Sequence, residues 1–162
     1  MAAEYGIRCD PDTELIITLG VSQGLDLALR SILNPGDEVI VVEPCYVSYA
    51  ANVTLLHGVP VIVPTYSRDG FRIDLDLLKK SITKKTKALL LNYPANPTGA
   101  TIDRQTLEEI SALALKYNFI VLSDEIYCTL TYGQGFFLYR FVSAMIYQGT
   151  PLQSFAAVLS LP

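Results

Sequence analysis

The 162-residue sequence predicts an α/β fold in which helices cover both faces of a largely parallel sheet, giving three αβα layers. Short apolar runs alternate with helical stretches between Leu15 and Leu122. Most of the strand candidates are continuous apolar runs, as expected when both faces of a sheet are covered. Strands that alternate with helices favour right-handed βαβ crossovers and parallel pairing.

Five segments are predicted to be strands. In chain order they are Leu15–Thr18, Glu38–Val42, Pro60–Pro64, Lys87–Leu91 and Asn118–Leu122. After Gly133 no clear period continues, although a complete sheet would require a further strand. We therefore expect residues 1–133 to form part of a large domain and residues 134–162 to be an atypical or truncated tail.

Four helices are predicted between these strands. The first has apolar residues at helical spacing (Leu25, Ala28, Leu29 and Ile32) and ends at the turn Asn34-Pro-Gly-Asp37. The second is expected over Tyr46–His57 and the third over Asp74–Ile82. The fourth begins at an Asp103 N-cap and places five residues on one face: Leu107, Ile110, Leu113, Ala114 and Tyr117.

Composition excludes several classes of protein. The chain is 51% hydrophobic and 17% charged with a net charge of -4, a globular profile that argues against nucleic-acid binding. The apolar segment Gly135–Tyr147 is too short to span a bilayer and contains Arg140. Three widely separated cysteines and a single histidine, His57, predict no metal site and a reducing compartment. We expect a soluble cytoplasmic protein.

The stretch TLGVSQGL, Thr18 to Leu25, follows the first strand candidate. Gly20 permits a tight turn, and free backbone N–H groups at the start of a helix favour phosphate binding. The Ser22 hydroxyl could donate to a phosphate oxygen. The alternative is an ordinary strand–helix turn in which Ser22 caps the helix.

The stretches that follow the second and fourth strand candidates also present polar or aromatic groups. In EPCYVSY, Tyr46 could lie flat on a planar ligand, or it could pack in the core. In NYPANPTGA, two prolines and a tight turn would hold the Asn96 amide at the edge of the sheet, where it can donate to a ligand oxygen. This density of conformational constraint favours a binding role for Asn96.

The stretch SDEIY, Ser123 to Tyr127, ends the fifth strand candidate. Ligands of open α/β sheets bind at the carboxyl ends of strands. Asp124 could therefore hold a protonated ring nitrogen through a charge-assisted hydrogen bond. The alternative is that polar residues simply end the strand. Glu125 is expected to face the other way and receives no chemical role.

These four stretches, in this order, resemble the large domain of class I and II pyridoxal-phosphate-dependent aminotransferases, which have the aspartate aminotransferase fold (fold type I). The resemblance covers about residues 5–133. It implies that Val21 and Ser22, after Gly20, bind the phosphate of pyridoxal 5'-phosphate, and that Tyr46 stacks on its pyridine ring.

The resemblance also gives roles to the later stretches. Asn96 and Tyr127 would hydrogen-bond the phenolic oxygen of the ring. Asp124 would pair with the pyridinium nitrogen and keep it protonated, so that the ring can accept electrons from the substrate. Asp124 and Tyr127 are thus the implied catalytic residues.

One departure from the family pattern concerns lysine. The family's Schiff-base lysine follows the aspartate by a few tens of residues, whereas all six lysines of this chain precede Asp124. The family's small domain, with its substrate-binding arginine, is also absent, and Gln134–Gln148 is unlike the usual continuation. We therefore expect a large-domain fragment that is inactive alone.

The implied function of the parent protein is transfer of an amino group between an amino acid and a 2-oxo acid, by a homodimer. The same residues would serve a C–S β-lyase or a decarboxylase-like enzyme. A third possibility is the ligand-sensing domain of a transcription regulator, which would need a helix-turn-helix before Met1. A non-functional remnant with exposed sheet edges is the fourth.

Overall fold

The computed structural model describes residue 12 and residues 15–128, 130–131 and 157–160. The unusual segment 134–148 therefore lies outside the described residues. The elements, in chain order, are β1 (Leu15–Thr18), α1 (Gly20–Ile32), β2 (Glu38–Glu43), α2 (Ser48–Leu55), β3 (Val59–Pro64), a short 3-10 helix (Ser67–Asp69), α3 (Leu75–Ser81), β4 (Thr86–Asn92), α4 (Arg104–Tyr117), β5 (Ile120–Asp124) and β6 (Ala157–Ser160).

Four of the described strands form one parallel sheet in the order β3-β2-β4-β5. In its register Ile40 lies opposite Leu89, and Leu90 lies opposite Leu122. Strands β1 and β6 form a separate parallel pair in which Leu15 lies opposite Ala157. The predicted parallel sheet is confirmed, and each predicted strand overlaps an observed one.

The two faces of the four-stranded sheet are covered by different helices. On one face, buried residues of the strands pack with α3 and α4 in a cluster that includes Ile40, Leu89, Val121, Leu78, Leu107 and Ile110. On the other face they pack with α1 and α2 in a cluster that includes Val39, Val41, Leu90, Leu29 and Val53. Neighbouring strand residues enter opposite clusters, because side chains alternate along a strand. The three-layer αβα arrangement is therefore confirmed.

Helix α4 shows where the predicted element bounds hold and where they fail. Asp103 caps it as predicted, since its Oδ1 accepts a hydrogen bond from the Thr106 N–H at 2.7 Å. Tyr117, predicted on the buried face, is 39% exposed. Asn118 takes the left-handed conformation (φ 57°) and ends the helix. For this reason β5 begins at Ile120 rather than at Asn118.

Candidate functional site

A cavity of about 240 Å³ lies where the carboxyl ends of β4 and β5 meet the first turns of α1 and α2. Its lining residues are Val21, Ser22, Leu25, Tyr46, Ser48, Tyr49, Asn92, Asn96, Asp124, Ile126 and Tyr127. Six of the seven residues singled out from the sequence are in this set. The seventh, Gly20, directly precedes Val21. The structure thus brings the predicted site residues together at one edge of the sheet.

The start of α1 supplies one wall of the cavity. Gly20 has a positive φ of 77°, which non-glycine residues rarely adopt, so the turn depends on this glycine. No side chain caps the helix at Leu19, and the first turn contains no acidic residue. Ser22 lies inside the helix, so the alternative in which Ser22 is the N-cap is wrong. The uncapped first turn leaves N–H groups and a positive dipole end toward the cavity.

Asp124 ends β5 and is held by two donors. The Tyr49 hydroxyl donates to Asp124 Oδ2 at 2.5 Å, and the Ile126 backbone N–H donates to Asp124 Oδ1 at 3.1 Å. Burial, and then the neighbouring Asp124 carboxylate, raise the pKa of the Tyr49 phenol. Tyr49 therefore remains a hydrogen-bond donor. Sequence reasoning missed Tyr49, whose only sequence signal is its position three residues after Tyr46.

The ends of β4 and β5 are tied together by Asn92. Its Nδ2 donates to the Asp124 carbonyl at 3.1 Å, and its Oδ1 accepts from the Asn96 N–H at 2.9 Å. Asn96 Nδ2 in turn donates to the Tyr127 hydroxyl at 3.3 Å. Asn96 and Tyr127 were predicted to act together, whereas Asn92 was missed because it reads as the last residue of an apolar strand.

Tyr46 lies before α2 rather than at its first residue, which is Ser48. Its side chain is 42% exposed, so the core-packing alternative for Tyr46 is wrong. Tyr49 is the buried aromatic of this segment, and the two rings meet edge to face with centroids 5.8 Å apart. A flat aromatic surface is therefore available at the cavity.

Several other side chains do not contribute to the cavity. His57 follows α2 in the left-handed conformation (φ 62°), and Glu125 accepts a hydrogen bond from the Ser123 hydroxyl at 2.8 Å instead of lining the cavity. Among the described residues no cluster of histidine, cysteine or acidic side chains could hold a metal ion. No helix in the part that the structure describes has both the length and the apolar character to cross a bilayer.

The comparison with known proteins establishes the family to which this chain belongs. The model of the family "Aminotransferase class I and II" matches residues 1–159, so the chain belongs to that family. An aspartate aminotransferase from Pyrococcus abyssi is 45% identical over 124 residues, which are 76% of this chain and 32% of that protein. An aromatic-amino-acid aminotransferase from Thermococcus litoralis is 44% identical over 75% of this chain and 31% of that protein.

Solved structures agree with the sequence matches. An aromatic aminotransferase from Pyrococcus horikoshii superposes with a TM-score of 0.82 at 42% identity, over 88% of this chain and 38% of that chain. The aspartate aminotransferase of Thermus thermophilus with maleate gives 0.84 at 41% identity, over 88% and 37%. The chain thus spans about a third of the length of the curated relatives that it matches.

The enzymes of this family depend on pyridoxal 5'-phosphate, and the donor set of the cavity fits that group. The cavity offers a carboxylate, an amide–phenol pair, an exposed aromatic face and an uncapped helix N-terminus. In that order, these groups suit the ring nitrogen, the phenolic oxygen, the face of the pyridine ring and the phosphate of the cofactor. Ser48 Oγ, in a residue that lines the cavity, is buried and has no hydrogen-bond partner within the described part of the chain. Such a buried polar atom usually has a partner, so a ligand in the cavity would give it one.

Proposed function

We propose that this chain forms the cofactor-shaping part of an aminotransferase that moves an amino group between an amino acid and a 2-oxo acid. The observation that carries the proposal is the position of Asp124. Its carboxylate is fixed by two donors in the same cavity that contains the Asn96–Tyr127 pair. A fixed carboxylate in a partly buried site favours a cationic partner.

The residues at the start of α1 would hold the phosphate of the cofactor. Gly20 lets the chain turn, and the N–H groups of Val21 and Ser22 belong to the uncapped first turn. The Ser22 hydroxyl adds a further donor. Tyr46 would cover one face of the pyridine ring, since its ring is exposed at the cavity.

The other end of the cavity would hold the ring atoms that matter for chemistry. Asn96 and Tyr127 would donate to the phenolic oxygen, and Asp124 would hold the proton on the ring nitrogen. When bound, pyridoxal phosphate supplies an aromatic ring that withdraws electrons from the substrate's α-carbon. Asp124 strengthens that withdrawal because it keeps the nitrogen cationic.

We further propose that these 162 residues alone have little or no turnover. All six lysines precede Asp124 in the sequence, and none of them lines the described cavity. The covalent anchor that also moves the proton in transamination is therefore missing from the cavity. We propose that the whole protein is a cytoplasmic homodimer, as its family resemblance supports.

The test uses the purified chain with pyridoxal phosphate, followed by borohydride reduction and peptide mapping by mass spectrometry. We expect no lysine to be labelled above a free-peptide control. A stoichiometric adduct on one lysine, or measurable transamination by the chain, would overturn the missing-anchor proposal.

Non-covalent binding is tested separately with pyridoxine 5'-phosphate, which has an alcohol in place of the aldehyde and needs no lysine. We expect Asp124→Asn to weaken its binding about tenfold or more, and Asp76→Asn, a control on the exposed side of α3, to leave it unchanged. Failure of the wild-type chain to bind this ligand would refute the role assigned to the cavity.

A further inference from the structure

Tyr49 contacts two of the side chains that would meet the cofactor ring, Asp124 and Tyr46. Its hydroxyl donates to Asp124 Oδ2 at 2.5 Å, and its ring lies edge to face against Tyr46 with an interplanar angle of 80°. The side chain itself is 2% exposed, so both contacts are made from within the protein. One buried residue of α2 therefore connects the aromatic face of the cavity with its carboxylate.

Two hydrogen bonds hold the Asp124 carboxylate, one at each oxygen. Tyr49 holds Oδ2 from the side of α2, and the Ile126 N–H holds Oδ1 from the turn after β5. An ionised carboxylate has about four acceptor sites, so two donors leave about two more for a ligand. Burial and the adjacent carboxylate raise the pKa of Tyr49, so the phenol keeps its proton and acts only as a donor.

We propose that Tyr49 is a positioning residue, which orients a free acceptor site of the Asp124 carboxylate toward the protonated nitrogen of the cofactor ring. This inference rests on the proposed function, and it adds a residue that the sequence analysis did not assign. The competing explanation is that Tyr49 only fills space between α2 and the sheet. Removal of the hydroxyl alone separates the two explanations, because Tyr49→Phe keeps the ring and loses the donor.

The experiment compares two ligands that differ at the ring nitrogen. The first is pyridoxine 5'-phosphate, and the second is its analogue in which a C–H group replaces that nitrogen. Dissociation constants are measured by titration calorimetry for the wild-type chain, Tyr49→Phe and Tyr117→Phe. Tyr117 is an exposed tyrosine on α4 that does not line the cavity, so it is the matched control.

We expect Tyr49→Phe to weaken binding of pyridoxine phosphate about tenfold, the size of one hydrogen bond to a charged group. Binding of the C–H analogue should change less than about twofold, because that ligand has no ring N–H to donate to the Asp124 carboxylate. Tyr117→Phe should change neither constant. Equal weakening for both ligands, or no weakening for either, would overturn the proposal in favour of simple packing.

A second measurement keeps the two proposals distinguishable. If the wild-type chain binds neither ligand, the proposed function fails, and Tyr49 is then judged from three-bond NMR couplings of the Asp124 side chain in the free protein. A single Asp124 rotamer in the wild type that averages in Tyr49→Phe supports the positioning role. The same rotamer distribution in both proteins overturns it.

Discussion

Asn92 offers a direct test of how the sheet holds the candidate site. Its side chain is 7% exposed and makes two hydrogen bonds, one to the Asp124 carbonyl at 3.1 Å and one from the Asn96 N–H at 2.9 Å. Leucine has the same number and branching of side-chain heavy atoms as asparagine but two larger methyl groups, so Asn92→Leu removes both bonds without creating a cavity. The substitution leaves one backbone acceptor and one backbone donor without a partner.

Each buried polar group that loses its partner costs about 1–3 kcal/mol. Because both groups are only partly buried, we expect Asn92→Leu to lower the free energy of unfolding by about 2–4 kcal/mol. Asn92→Asp keeps an acceptor for Asn96 but turns a donor into an acceptor facing the Asp124 carbonyl, so it should also destabilise. Urea unfolding followed by circular dichroism measures both changes.

The control is Asn34→Leu, at an exposed turn whose side-chain contact with Asp37 is 3.5 Å long. Its effect should stay below about 0.5 kcal/mol. The reasoning is refuted if Asn92→Leu unfolds within that same margin of the wild type and the backbone amide resonance of Asn96 does not move. In that case the bridge between β4 and β5 would not hold the site.

Three further outcomes are expected. Asp103→Ala should lower the free energy of unfolding by about 1 kcal/mol at neutral pH, with Asp103→Asn near wild type. The Thr106 N–H lowers the pKa of Asp103. The difference in free energy of unfolding between the wild type and Asp103→Asn measures the contribution of the charge. That contribution is present above the pKa of Asp103 in the unfolded chain and is lost as the pH falls through its lower pKa in the folded protein. Burial raises the pKa of Tyr93 to about 12, so ionisation of this phenol in the unfolded chain should lower the free energy of unfolding by about 2 kcal/mol between pH 10 and 12, and Tyr93→Phe should reduce the wild-type loss by that amount in urea titrations. A Cβ at Gly58 would lie 3.0 Å from Val53 Cγ1 and 3.2 Å from Val53 O. Gly58→Ala should therefore lower the free energy of unfolding by about 1–3 kcal/mol, and an unchanged melting temperature would contradict this.

The strands and most helix ends follow from local chemistry that can be read in the sequence. Apolar runs mark β2 and β4, and the Asp103 side chain makes the cap that its position predicts. Which residues of α4 are buried does not follow from residue type alone. Ser111 is buried although it is polar, whereas Tyr117, the last residue of the helix, is exposed although it lies only about 20° around the helix from the buried Ile110. The hydrophobic character of Tyr117 alone therefore misplaced it.

The candidate site was also only partly predictable from the sequence. The placement of Asp124 and Asn96 at the cavity could be predicted because ligands bind at the carboxyl ends of parallel strands, whereas Tyr127 was identified through the resemblance to the aminotransferase family. Tyr49 and Asn92 could not, because their roles depend on contacts between elements rather than on residue type. Residue type does not distinguish Tyr49, in the first turn of α2, from an ordinary core tyrosine, and only the closeness of α2 to β5 makes it a partner of Asp124.

The hydrogen bond between Tyr49 and Asp124 joins residues 75 positions apart. During synthesis at about 5–20 residues per second, the second partner is made about 4–15 s after the first. Through that interval the nascent chain can form α2 but not the completed cavity. A ligand of the cavity therefore cannot assist early folding, and it stabilises the domain only after the last strand of the four-stranded sheet has been added. Ligand concentration would thus affect how long the finished domain survives, and not how quickly it is made.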